Sequence, residues 1–464
     1  MPASPDVIER SSRLPFPAAS VFAWHERPGA FERLIPPWEH ARVLERSGGL
    51  GDGGRVVLRV GAPLGVRWVA RHRELESGRQ FVDEQVEGPF ASWRHLHRFE
   101  PDGPGASVMT DRIEYVPPFG PAGALGEPLM IRPRLERMLA YRHELLSRDL
   151  ETHARFGDRP PLRVAVSGAS GLIGHALVPF LTTGGHTVVR LVRGRAREGE
   201  AAWNYEHGRI EAGKLEGLDA VVHLAGENIA ARWTVARRRR ILDSRAIGTR
   251  FLAETLARLR RPPRILVSAS AIGIYGNRGQ EVLTEASSPL AGPGDFLTEA
   301  GREWEAATEP ARAAGIRVVR LRFGVVLTPA GGALGRMLPP FRLGVGGPLG
   351  HGTQWMSWIG IDDLLGAVHH ALITEALAGP VNVTAPNPVT SRTFASTLGR
   401  VLHRPAVLRV PRAALHLAFG EMADVALLSS ARVLPVRLQE SGYGFRYPEL
   451  EGALRFLLGR SIPA

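Results

Sequence analysis

The sequence predicts an α/β doubly wound parallel sheet, preceded by an α+β domain in which an antiparallel sheet surrounds a long C-terminal helix. Three observations predict it. Residues 1–155 carry short strand-like runs parted by Gly, Pro and Asp, then one stretch of helical spacing. From Leu162 strands and helices alternate, the pattern of a sheet covered on both faces. Between them "FGDRPP" (156–161) has the glycine and prolines that break a helix, and reads as a linker.

Composition narrows the function classes. A chain of 464 residues with 44% hydrophobic residues has length for two or three domains and material for a sizeable core. It has no cysteine, which removes disulfides, thiol nucleophiles and cysteine-ligated zinc. No apolar leader opens the sequence, and no run approaches the ~20 apolar residues of a membrane span. A cytoplasmic protein is the expectation. The net charge is +12, and Lys214 is the one lysine among 58 basic residues, leaving 57 arginines. These are scattered, and the sharpest run, Arg237 to Arg240, falls on an amphipathic helix where a solvated face explains it. Nucleic acid is not expected as a partner, and the oligomeric state is left open.

In the first domain "RVVLRVG", "VRWVARHREL", "QFVDEQVEG" and "SVMTDRIEYVP" are the strands. "RPRLERMLAYRHELLSRDLETH" is the helix, with Leu135, Met138, Leu139, Leu145, Leu146 and Leu150 near one face. With the opening "RSSRLPFPAASVFAWHERPGAFERLIPPWE", these features resemble the START-like, helix-grip superfamily of polyketide cyclases and lipid carriers. That resemblance implies a second ligand, apolar, between sheet and helix. Trp24, Trp38, Trp68 and Trp93 are either pocket lining or core. His95 and His97 alternate on a strand and share a face. With no third ligand nearby in sequence, no metal is expected.

The strongest signal is "LRVAVSGASGLIGHALVPFLTTGGHTVVRLVRGRARE". A buried strand over Val164 to Val166 runs into Gly168, Gly171 and Gly174, an apolar helix follows, and a second strand comes next. Gly168 permits the tight turn, Gly171 lets backbone approach a pyrophosphate, and Gly174 lets the helix pack closely. Ser170, Leu172 and Ile173 complete the turn, where helix N–H groups face the anion. A Rossmann-type dinucleotide site is the reading. An NAD site would carry Asp or Glu at the end of the second strand. Arg193 and Arg195 stand there instead, which suits a 2′-phosphate and favours NADP(H). Downstream, Leu224, Ala225, Gly226 and Glu227 form the loop after "LDAVVH", placed to pass the cofactor's adenosine half or face the cleft.

Residues 162–460 resemble the atypical, epimerase-like branch of the extended short-chain dehydrogenases/reductases, the epimerase family proteins. The motifs are "HLAGENIAARWT", "SRAIGTRFL", "SASAIGIYG", "DFLTEAGREWEAA", "LGVGGPLGHGTQWMSWIGIDDL" and "GPVNVTAPNPVTSRTFASTLGRVLHRPA". The resemblance implies an NADP-binding Rossmann domain over 162–405. It also implies a small region over 406–464, like a domain of unknown function named DUF1731, that completes the substrate side.

The parent superfamily's proton relay is a Tyr-x-x-x-Lys pair. It cannot occur here, because Ile210 stands four residues before the single lysine, and Phe296 and Leu297 fall in the tyrosine's place. Ser270 occupies the superfamily's substrate-binding serine position, and Tyr275 is the acid/base candidate, with Arg278 as the charge that lowers its pKa. Glu303 and Glu305 read as structural. His351, Gln354 and Trp358 are candidates for one wall of a substrate pocket, and Asp362 and Asp363 for a helix N-cap. No G-x-S-x-G hydrolase motif is present. The expected function is an NADP(H)-dependent oxidoreductase or epimerase acting on a small-molecule, apolar carbonyl or hydroxyl substrate. The alternative is a non-catalytic NADP(H)-binding sensor or scaffold whose first domain holds a lipid or polyketide.

Overall fold

In the computed structural model, residues 4–61, 65–290 and 295–460 are described. The chain divides into two compact units, the first running to Arg159 and the second holding most of the residues from Pro160 onward.

The first unit is a seven-stranded antiparallel sheet in the order β1-β7-β6-β5-β4-β3-β2. Its strands are β1 (Asp6–Leu14), β2 (Ala41–Ser47), β3 (Arg55–Val60), β4 (Val66–Glu76), β5 (Gln80–Glu87), β6 (Ser92–Pro101) and β7 (Ser107–Val116). Helices α1 (Ala18–Glu26) and α2 (Ala30–Leu34) follow β1, and α3 (Gly120–Gly126) leads towards α4 (Arg132–Ala154). The predicted helical stripe is the buried one: Leu135, Leu139, Leu145, Leu146 and Leu150 are all buried. Leu135 and Leu139 join Ile8, Trp93, Ile113 and Tyr115 in one apolar cluster. Trp24 and Trp93 are core residues. Trp68 packs edge-on against Trp93 with ring centres 5.2 Å apart, so these rings fill space rather than line it.

The second unit is built on an eight-stranded sheet in the order β11-β10-β9-β8-β12-β13-β15-β19. Its members are β8 (Arg163–Ser167), β9 (Thr187–Val192), β10 (Glu200–Asn204), β11 (Arg209–Ile210), β12 (Ala220–His223), β13 (Ile265–Ala271), β15 (Arg317–Phe323) and β19 (Gly379–Val383). All neighbours pair in parallel except β10 with β11. The chain winds outward both ways from β8, so the order reverses between β8 and β12, where open α/β sheets bind ligands.

Alternate residues of each strand enter different cores, as a sheet covered twice requires. Val164, Val166, Val222 and Val267 face α5 (Leu172–Thr183) and α10 (Ile361–Ile373). Ala165, Val221, Leu266 and Val318 face α6 (Val235–Ala257) and α8 (Glu309–Ala313). Helix α7 (Phe296–Ala306) lies between these two in sequence, and α9 (Gly332–Arg342) follows β15. The 406–464 region does not form a compact unit of its own. Its described residues up to Leu457 belong to the second unit, and β21 (Arg432–Val433) pairs with β14 (Val282–Leu283).

The pair Asp362–Asp363 departs from expectation. Gly360 is the N-cap of α10 and no side chain caps it. Asp363 instead accepts the backbone N–H groups of Arg446 (2.6 Å) and Tyr447 (3.1 Å), tying down the C-terminal region. It is 2% exposed. Asp363→Ala is expected to cost about 2–4 kcal/mol, because two N–H groups lose a buried carboxylate acceptor. Urea unfolding midpoints measure it.

Candidate functional site

The glycine turn between β8 and α5 is shaped by backbone contact. Gly168 has φ +67°, and a Cβ there would lie 2.8 Å from the Leu224 carbonyl carbon. A Cβ on Gly174 would lie 2.2 Å from the Gly168 oxygen, so α5 begins as close to the turn as backbone allows. Gly171 differs: its nearest neighbour would be the Gly168 oxygen at 3.2 Å, and its outer side is open. Ser170, Gly171 and Leu172 are exposed, whereas Ile173 is half-buried against the core. The first N–H groups of α5 and its dipole thus face a solvent-open anion position.

A clamp that the sequence reading missed holds this turn to the next loop. Ser167 Oγ accepts the N–H groups of Leu224 (3.1 Å) and Ala225 (3.3 Å). Its own proton then goes to His223 Nδ1 at 2.7 Å, and His223 Nε2–H donates to Thr249 Oγ1 at 3.0 Å. Burial pushes His223 down to about 4, which keeps the ring neutral and able to accept. Ser167 and His223 face each other in the β8–β12 register. The signal was available as a polar residue following the apolar runs Val164–Val166 and Ala220–Val222.

Arg193 and Arg195 follow β9, are exposed, and make no ion pair with any described residue. Glu227 lies 3.6 Å from Arg237. Its N–H donates to Ser244 Oγ, and its carbonyl accepts from Arg245. Arg245 lies 4.7 Å above the Trp304 ring, another positioning residue that sequence reasoning did not single out. Arg238 pairs with Glu421, and with Arg237 also engaged the arginine run is not merely a solvated face.

The two catalytic candidates lie in a different setting from the one expected. Ser270, Arg322 and Asn382 stand side by side on β13, β15 and β19. Arg322 grips Glu305 of α7 with two bonds, Nε to Oε1 at 2.7 Å and Nη2 to Oε2 at 2.8 Å. Ser270 Oγ donates to Glu305 Oε1 at 2.8 Å. Arg322 Nη1 donates to the Tyr275 oxygen at 2.8 Å, and the Tyr275 hydroxyl donates to Asn382 Oδ1 at 2.8 Å. Tyr275 is 0% and Ser270 1% exposed. Burial pushes the Tyr275 phenol up despite Arg322 beside it. Arg278 pairs with Glu281 and not with Tyr275. Tyr275 and Ser270 thus both belong to a buried hydrogen-bonded network at the strand ends.

The wall candidates also separate. Trp358 is fully buried and donates to the Asn387 carbonyl. Gln354 donates to the carbonyls of Leu349 and Leu427 and so holds loops together. His351 is exposed. Trp355, not singled out in the sequence, is half-buried, donates to Gln280 and carries Arg432 at 4.4 Å over its ring.

Among the described residues no helix is long and apolar enough to cross a membrane. Residues 164–383 match the NAD dependent epimerase/dehydratase family. Residues 410–457 match the domain of unknown function DUF1731, and 14–139 match the polyketide cyclase / dehydrase and lipid transport family. An epimerase family protein of Mycobacterium bovis is 43% identical over 299 residues, 64% of this chain and 98% of that protein. A crystal structure described as the nucleoside-diphosphate sugar epimerase of Corynebacterium glutamicum is 35% identical with a TM-score of 0.80. It covers 97% of this chain and 90% of that one. Human epimerase family protein SDR39U1, crystallised with NADPH, is 36% identical with a TM-score of 0.59, covering 64% of this chain and 99% of that one.

Proposed function

The chain belongs to the epimerase family proteins, and from that premise we propose that its second unit binds NADP(H) and serves oxidoreductase or epimerase chemistry on a carbonyl or hydroxyl substrate. The observation that carries the reading is the glycine turn. Its approach to Leu224 leaves room at Gly171 for a pyrophosphate and none for side chains at Gly168 or Gly174. Gly168, Ser170, Gly171, Leu172, Ile173 and Gly174 would hold the diphosphate, with Leu224, Ala225, Gly226 and Glu227 beside the adenosine half. Arg193 and Arg195, with no carboxylate partner among the described residues, would take the 2′-phosphate. The NADPH in the human relative supports the same choice. When bound, the nicotinamide supplies hydride exchange.

Tyr275 would be the acid/base group and Ser270 the substrate-binding serine if the buried network they share opens towards the cofactor. The burial of that network favours a second reading, in which the unit binds the nucleotide as a sensor without turnover. In the first unit, the match of residues 14–139 to the polyketide cyclase / dehydrase and lipid transport family supports binding of an apolar compound.

Calorimetry with NADPH and NADH tests the reading. NADPH should bind more tightly, and Arg193→Asp should weaken it by about tenfold or more while leaving NADH within a few-fold. No heat with either nucleotide would remove the proposal. NADPH oxidation against a carbonyl panel separates enzyme from sensor.

A further inference from the structure

The first unit holds a cluster that the nucleotide chemistry does not use. Strand pairing sets it up from residues far apart in sequence. Asp83 on β5 stands opposite His95 on β6, and His97, two residues along the same face, stands opposite Asp111 on β7. Among the described residues, Asp83, His95 and His97 form the one group of three whose ligating atoms all lie within 4.8 Å of one another. The third donor that is missing near the two histidines in sequence comes from the neighbouring strand.

We propose that Asp83, His95 and His97 form a binding site for a divalent transition-metal cation such as Zn²⁺, held by one carboxylate oxygen and one imidazole nitrogen from each histidine. The donor set is right for such an ion, since two imidazoles and a carboxylate hold both catalytic zinc and non-haem iron. The spacing is close to right. His97 Nε2 and Asp83 Oδ2 are 3.4 Å apart, near the separation of two donors on one tetrahedral ion with bonds of about 2.0–2.2 Å. Closing the rest of the set needs side-chain movement on the order of 1 Å.

The surroundings carry the argument further. Metal-bound imidazoles ordinarily give their other nitrogen to a carboxylate, which orients the ring. Asp111 stands in that place for both histidines, with Oδ1 2.6 Å from His97 Nδ1 and 3.4 Å from His95 Nε2. Asp111 is itself held by His143 Nε2 at 3.1 Å, and His143 Nδ1 meets Ser12 Oγ. His72 Nδ1 holds the other oxygen of Asp83 at 2.5 Å. Asp83 therefore has a hydrogen-bonded outer partner in His72, and Asp111 lies close to both histidines without forming well-aligned hydrogen bonds to them.

His95 and His97 are 2% and 5% exposed, so bulk water competes little for their ring nitrogens.

The test uses the full chain, freed of metal by chelator dialysis and titrated with Co²⁺ as the probe. One equivalent should bind with the intense visible bands of a low-coordinate nitrogen/oxygen site, and Zn²⁺ should displace it and raise the melting temperature. Asp83→Asn and His95→Gln should each weaken Co²⁺ by more than the roughly 10–100-fold that loss of an outer partner costs. Circular dichroism confirms that each variant is folded. Where one variant does not fold, the wild-type stoichiometry and spectrum decide with the other. Absence of one tight equivalent in the wild type, a weak octahedral spectrum from surface histidines, or tight binding that persists in the folded variants would each overturn the site.

Discussion

Replacing Arg322 with Ala is expected to destabilise the second unit by about 3–5 kcal/mol, the cost of leaving a buried charge without its partner. Glu305 is 7% exposed and receives both bonds of the guanidinium fork. Removing Arg322 also takes a donor from the Tyr275 oxygen. Glu305→Ala should cost a similar amount. The pair replaced together, Arg322→Met with Glu305→Leu, should recover most of the loss, since a well-packed apolar pair often equals a buried ion pair. Denaturant unfolding of Arg322→Ala, Glu305→Ala and the two alanines together measures the coupling directly. Additive losses would show that the two side chains act independently. Tyr275→Phe belongs to the same experiment. A structural hydroxyl predicts a loss of about 1–2 kcal/mol with any NADPH turnover unchanged, whereas an acid/base role predicts that turnover falls while NADPH affinity holds.

The same residues show how far a sequence can be read. The fold was legible because its signals are local and periodic. Val164–Val166, Gly168–Gly174 and the helix after them specify a strand, a turn and a helix within one short window, and the leucine stripe on α4 is visible at a glance. Side-chain partners across the sheet were not legible. Arg322 meets Ser270 and Asn382 only because β13, β15 and β19 are adjacent and in one register. Pairing of that kind is set by tertiary packing and leaves no spacing rule in the chain. Tyr275 was therefore matched with Arg278, its neighbour in sequence, when its partner lies 47 residues away. Asp83 and His95 show the same blindness in the first unit: the two histidines were read without the aspartate that strand pairing puts opposite them. Asp363 shows a second cause. An acidic pair at the start of a helix is the ordinary mark of an N-cap, and nothing nearby reveals that Arg446 and Tyr447 return to claim one carboxylate.

Substitution of the turn glycines should separate two roles that the motif joins. Gly174→Ala puts a Cβ 2.2 Å from the Gly168 oxygen and 2.7 Å from the Ala169 Cα, both backbone atoms that cannot swing aside. The start of α5 must move away from the turn. A stability loss of about 1–3 kcal/mol is expected from such overpacking. A fall in NADPH affinity of about tenfold to a hundredfold should accompany it, because the helix N–H groups leave the anion position. Gly171→Ala meets a much smaller obstacle, since its Cβ would have one neighbour, the Gly168 oxygen at 3.2 Å, which need give by only a few tenths of an ångström. That variant should melt within about 0.5 kcal/mol of the parent, as surface changes do. It should nonetheless lose NADPH, because the new methyl group occupies the side from which a pyrophosphate must come. Melting curves and calorimetry on the two variants decide between a nucleotide cradle and a glycine turn needed only for packing. Affinity lost in both but stability lost in Gly174→Ala alone means that the space at Gly171 is kept for a ligand. Unchanged affinity in Gly171→Ala would mean that the turn serves the fold alone.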